Sequence, residues 1–347
     1  MTHFRQGRSL VAGLSVASLV LLSACSSSAA TTAPASTAPT STGAAPTDAP
    51  STSTAPSKAT GTVGIVGFDT TSPMDNTFAT AAQSFLEKDG FTVLTQDPKG
   101  DPGQANTICS QYVTRQVVAL LVVTFNKDQM AQCMSQADAA KIPVFFSGSP
   151  LQDGMAGAVD NTAPPPINDV FIKYLKDNGI TDILSLDYSP GTPCRLRAAY
   201  REDALSKSGL NVKESKHEFP IPGQVVDSQN ATAAWLAAHP ASAGKFAIWS
   251  CFADSSSGAV AALNQVGRTD VPIFTWDLTK AIVPAIKTGQ VAATLYLDAP
   301  GIGGQDGQLI EAWLGGNTKP QGVVAASTIV TKDNIDAVLA AHPEVMK

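Results

Sequence analysis

The chain has 347 residues, 23 basic and 29 acidic side chains, a formal charge of −6 and 44% hydrophobic residues. That length suffices for two ordinary lobes or one large domain, and the acidic balance argues against a nucleic-acid partner. Five cysteines include no CxxC pair, and the four histidines, His3, His217, His239 and His342, are scattered, so neither a metal nor a cofactor is expected.

Arg5 and Arg8 precede an apolar run over residues 10–22, which is too short for a membrane span of about 20 residues and reads as a leader. Its end, Leu22-Ser23-Ala24-Cys25, resembles a bacterial lipoprotein signal. The resemblance implies removal of residues 1–24 and lipidation of Cys25, which would anchor an exported protein to the outer face of the cytoplasmic membrane. Loss of the leader removes two arginines and no acid, moving the formal charge to −8. Residues 25–60 are almost entirely Ser, Thr, Ala and Pro. Such a segment buries too little apolar area to offset its ordering entropy, and a disordered tether is expected.

From Thr62 onward one unit repeats: a short β-rich apolar run, a turn, then a helix-period segment. Strands are predicted over residues 62–68, 91–95, 117–124 and 142–147. Helices between them carry Phe78, Ala82, Phe85 and Leu86, then Ala105, Ile108, Cys109 and Tyr112, then Met130, Cys133 and Ala137. The rhythm restarts after Asp160, with strands over 183–188, 211–217, 245–250, 271–276 and 291–297. Helices are expected near 197–208, 231–238 and 258–266. This alternation predicts an α/β fold of two Rossmann-like lobes with parallel sheets. The glycine run from Gly301 to Gly304 has the wrong spacing for a dinucleotide loop and reads as part of a late crossover helix.

In doubly wound sheets ligands bind beyond the carboxyl ends of the strands. Those ends carry Asp69, Asp75, Asn76, Phe78, Asn126 and Ser147 in the first half, and Asp187, Tyr188, Arg195, Trp249, Asp254, Trp276, Asp277 and Tyr296 in the second. Carboxylates, amides, one guanidinium and aromatic faces suit a small polar ligand. The two tryptophans fit a core at least as well as a ligand wall. No P-loop, GxSxG or HExxH pattern is present, and catalysis is not expected.

The order of short motifs resembles the ribose-type (type I) periplasmic binding proteins, the substrate receptors of ABC importers. The residues that carry it are Asp75-Asn76-Thr77-Phe78, Val159-Asp160-Asn161, Arg195-Leu196-Arg197, His239-Pro240, Trp276-Asp277 and Gly289-Gln290-Val291. The chain departs from the pattern at Ser147-Gly148-Ser149, where many relatives have Asp-Arg, and at Cys251, Phe252 and Leu297. The resemblance implies an interlobe cleft with a three-segment hinge at Asp160-Asn161, Leu297-Asp298 and Gly322-Val323. It also implies a ligand set of Asp69, Asn76, Phe78, Asn126, Ser147, Asn161, Arg195, Trp249, Asp254, Asp277 and Asp298. Residues 61–160 with 298–322 would form one lobe, 161–297 with 323–330 the other, and 331–347 a helical tail. The implied protein is a monomer that binds a sugar or sugar-like solute and delivers it to an ABC permease; a ligand sensor of the same fold is the alternative.

Four cysteines remain after Cys25, allowing three pairings. If strand one lies between strands two and three, right-handed crossovers put the helices bearing Cys109 and Cys133 side by side on one face. Cys194 and Cys251 follow adjacent strands of the second lobe. Cys109–Cys133 and Cys194–Cys251 are therefore the expected disulfides.

Overall fold

The computed structural model describes residues 60–163 and 166–346. The leader, Cys25 and nearly all of the tether lie outside the described residues, as do Pro164 and Pro165.

The first lobe is built from β1 (Thr62–Val66), α1 (Pro73–Lys88), β2 (Thr92–Gln96), α2 (Pro102–Thr114), β3 (Ala119–Val123), α3 (Ala131–Ala139), β4 (Val144–Ser147) and β5 (Gly157–Asp160). The chain then enters the second lobe. There it forms α4 (Ile167–Asn178), β6 (Asp182–Asp187), α5 (Thr192–Ser208), β7 (Lys213–Glu218), α6 (Gln224–Ala238), β8 (Phe246–Ser250), α7 (Ala253–Gln265), β9 (Ile273–Phe274), α8 (Val283–Thr288) and β10 (Val291–Leu297). It returns for α9 (Ala299–Leu314) and β11 (Gln321–Val324), and crosses a third time to β12 (Ser327–Val330) and α10 (Ile335–Ala341).

Each lobe centres on a six-stranded sheet, ordered β11-β5-β4-β3-β1-β2 and β12-β10-β9-β8-β6-β7. Every pairing is parallel except β10 with β12. β3 reads Ala-Leu-Leu-Val-Val with all five residues buried, as a parallel strand covered by helices on both faces must be. α9 packs along α1, and Gly303 makes the close approach possible: a Cβ there would lie 2.4 Å from the Phe78 carbonyl oxygen. The late glycine run is thus helical.

Strand one does lie between strands two and three, and β6 lies beside β8. Cys109 is joined to Cys133, linking α2 to α3, and Cys194 to Cys251, linking the start of α5 to the end of β8. The sequence reading has no counterpart of β5, α4, α8, β11 and β12, and α5 begins at Thr192 instead of near residue 197, as α6 begins at Gln224 instead of near 231. Pro193 explains the early start of α5, since proline suits the first helical turn. The first sheet runs through Val324, which places the third passage at Ala325-Ala326 instead of Gly322-Val323. Ala325 N donates to Asp160 O at 2.8 Å, so the first and third passages lie side by side.

Candidate functional site

The carboxyl ends of both sheets meet at a cavity of about 40 Å³ walled by the two lobes. The first lobe contributes Phe68, Ser72, Met74, Asp75, Phe78 and Thr124. The second contributes Tyr188, Pro193, Arg197, Ile221, Phe252 and Asp277, and Asn161 comes from the first passage. The lobes are in direct contact here: Thr192 N donates to Thr124 O at 3.1 Å. Gly148, at φ +82°, approaches Pro193 so closely that a Cβ would lie 3.2 Å from its Cγ.

On the first-lobe wall, α1 presents the Asp75 carboxyl. Thr124 Oγ1 donates to its Oδ1 at 2.5 Å and Ser72 Oγ to its Oδ2 at 2.7 Å. Burial pushes Asp75 up to about 6, against the pull of those two hydroxyls. On the second-lobe wall, Asp277 follows the short β9. The Arg197 guanidinium reaches both its oxygens at 3.4 Å, donates to Cys251 O at 2.8 Å and lies 4.2 Å from the centre of the Trp276 ring. The Cys194–Cys251 link therefore ties the helix bearing Arg197 to the carbonyl that holds it. Burial also raises Asp277, and Arg197 opposes the shift.

Two residues in this cavity have left-handed backbones, Thr124 at φ +69° and Asp277 at φ +66°. For a β-branched residue such as Thr124 that conformation is strained, and such strain clusters where ligands are held. Thr294 Oγ1 fixes the second by donating to Asp277 O at 2.8 Å.

Of the residues expected in a ligand set, the cavity brings together Phe78, Asn161 and Asp277. Arg195 is exposed on α5, and the guanidinium of the cavity belongs to Arg197. The helix start explains the correction: with α5 beginning at Thr192, Pro193 and Arg197 fall one turn apart on the cavity face. Asp69 and Asn76 line an adjoining groove beside β2 that shares Phe68 and Asp75 with the cavity, and there Asp69 accepts from Thr71 N at 2.7 Å. Asn126 is occupied in its own turn, accepting from Gln129 N at 2.8 Å. Ser147 is fully buried beside Asp306 of α9. Trp249 is core, its ring covered by Arg201 at 4.4 Å, while Arg201 pairs with Asp187 at 2.7 Å. Asp254 lines a neighbouring cavity of about 550 Å³ that shares Met74 with the first. Asp298 is exposed and caps α9 by accepting from Gly301 N at 3.1 Å.

The model of the periplasmic binding protein domain matches residues 63–318. The chain belongs to the periplasmic binding protein family. Members of this family are solute-binding proteins, not enzymes. The chain is 24% identical over 249 residues to the ribose import binding protein RbsB of Salmonella typhimurium, covering 71% of this chain and 82% of that one. The Escherichia coli counterpart is 23% identical over the same length. Among solved structures, an ABC transporter solute-binding protein of Agrobacterium vitis with bound allitol superposes with a TM-score of 0.75 at 20% identity, covering 82% of this chain and all of that one. A 5-methylthioribose transporter solute-binding protein of Thermotoga lettingae reaches 0.71 at 19% identity, over 82% and 92% of the two chains. Among the described residues, no helix is long and apolar enough to cross a membrane, and no group of three or more His, Cys, Asp and Glu side chains has a metal-holding arrangement.

Proposed function

We propose that this protein is an exported, lipid-anchored receptor that captures a small polar, sugar-like solute between its lobes and presents it to an ABC permease. The carrying observation is the cavity itself, whose wall is drawn from both lobes and from the first passage between them. Contacts to both walls exist only when the lobes are together, so a ligand binding there shifts an open–closed equilibrium toward closure. The permease would read that closure. The relatives that import ribose or hold allitol and 5-methylthioribose support a polyol or sugar-like solute class. Cys25 would supply the anchor, the mature chain would act as a monomer, and the two cysteine pairs would be oxidised in the export compartment. Small-angle scattering tests the closure: a ligand found by thermal-shift screening should compact the protein. An unchanged profile at saturation would contradict it.

A further inference from the structure

The cavity sets the donors of Arg197, the Asn161 amide and the Tyr188 hydroxyl against the Asp75 carboxyl, the Asn161 amide oxygen and several aromatic faces. Both oxygens of Asp75 accept from hydroxyls, and among the described residues no Lys, Arg or His forms an ion pair with it. Arg197, the guanidinium of this cavity, is committed to Asp277, to Cys251 O and to the face of Trp276. One guanidinium thus faces two carboxyl groups, and the negative charge left over sits on the first-lobe wall. Asn161, 4% exposed, adds an acceptor, for its Oδ1 has no partner. On the donor side, Arg197 Nε is left without a partner. Around these groups stand Phe68, Phe78, Tyr188 and Phe252.

A neutral polyol carries about as many acceptors as donors and needs protein donors for its oxygens. The hydroxyls of Ser72 and Thr124 already point at Asp75. A cation, by contrast, meets a carboxylate with no ion-pair partner, a bare amide oxygen and π faces, each of which attracts positive charge. Its charge would also stabilise the ionised form of Asp75 against the burial that lifts this carboxyl to about 6.

We propose that the solute of this cavity is a small amine-bearing cation, of the amino-alcohol or amino-sugar kind, with its ammonium set between Asp75 and Asn161 and a hydroxyl or ether oxygen toward Arg197. The inference rests on the reading of this cavity as the ligand site of a solute receptor and narrows it to one charge class. Matched pairs isolate the charge. Calorimetry on the full chain would compare choline with its neutral isostere 3,3-dimethylbutan-1-ol, and glucosamine with glucose, with ethanolamine and ribose as further probes. The expected result is that at least one amine binds roughly tenfold or more tighter than its neutral partner, and that Asp75→Asn removes that preference. Circular dichroism and a thermal melt of Asp75→Asn would establish that the variant is folded. Equal affinity within each pair, or binding by glucose or ribose with the amines silent, overturns the charge class and leaves the solute-receptor reading standing. Silence of all the amines overturns it as well. A preference for the amine that survives in Asp75→Asn overturns the assignment of its ammonium to this carboxylate.

Discussion

Asp75 and Asp277 face one cavity from opposite lobes, and the two carboxyl groups are held in different ways. Asp277 has a guanidinium on both oxygens, braced by a tryptophan ring and a disulfide-linked carbonyl. Asp75 has two hydroxyls and no direct ion pair, only the more distant charge of Arg197. The second-lobe wall is therefore electrically complete before any ligand arrives, whereas the first-lobe wall keeps a charge to spend. The difference fits the closure proposed above, in which a ligand held on one wall draws the other onto itself. Removing a group from the complete wall should cost fold stability, while removing one from the incomplete wall should cost binding.

Arg197→Met makes the sharpest break, because it leaves Asp277 buried with no partner. Breaking a buried pair from one side costs about 3–5 kcal/mol, so a denaturant melt should show a large loss of stability. A loss under about 1 kcal/mol would mean the pair is not desolvated as the structure has it. Opening the Cys194–Cys251 link by changing both residues to alanine should cost roughly 2–4 kcal/mol and loosen the same wall. A reducing agent should reproduce the effect in the wild type and add nothing to the double variant beyond what Cys109–Cys133 contributes.

Gly303→Ala tests the opposite wall. A Cβ 2.4 Å from the Phe78 carbonyl forces α9 away from α1, the helix that carries Met74 and Asp75, at a cost of about 1–3 kcal/mol. The same substitution at Gly304, which has open space around it, should stabilise by up to about 1 kcal/mol, since alanine is the better helix former. The smallest effect is expected from pH. Burial raises Asp75 and Asp254 to about 6 and raises Asp277 and Asp306 as well. A carboxyl whose folded pKa lies above its unfolded value binds more protons when folded, so stability falls as pH rises from about 4 through about 6. The surface carboxylates Glu202 and Asp270, lowered by Lys216 and Arg268, pull weakly the other way. Thermal melts should give a higher midpoint near pH 5 than near pH 7, and Asp75→Asn should flatten part of that slope.

Much of the fold was legible because strands buried on both faces are continuous apolar runs and the helices between them keep a 3.6-residue period. β5, the four residues Gly-Ala-Val-Asp, is too short to carry such a signal, and the third passage lies among small residues that mark no boundary. At the cavity, Asp75, Phe78, Tyr188 and Asp277 are the lining residues that the rule of ligands beyond strand ends singles out. The rule misses Met74, Ile221 and Phe252, since an apolar side chain lining a cavity looks in sequence like one filling a core. A helix start near residue 197 points to Arg195, whereas the start at Thr192 turns Arg197 toward the cavity. Proline at position 193 was the available signal, and one turn onward from it lies Arg197. Asp69 and Asp298 sit at strand ends as well, but both spend their carboxylates on their own turns.

The solute meets its charge partner on the wall of Asp75, not on the wall where Arg197 already holds Asp277. Calorimetric titration of a solute identified by screening into wild type, Asp75→Asn and Asp277→Asn tests this most directly. Affinity should fall roughly tenfold or more in Asp75→Asn, which removes a charge-assisted hydrogen bond to the ligand, whereas Asp277→Asn, whose oxygens are already taken by Arg197, should lose mainly stability. Wild-type affinity in Asp75→Asn would contradict that assignment.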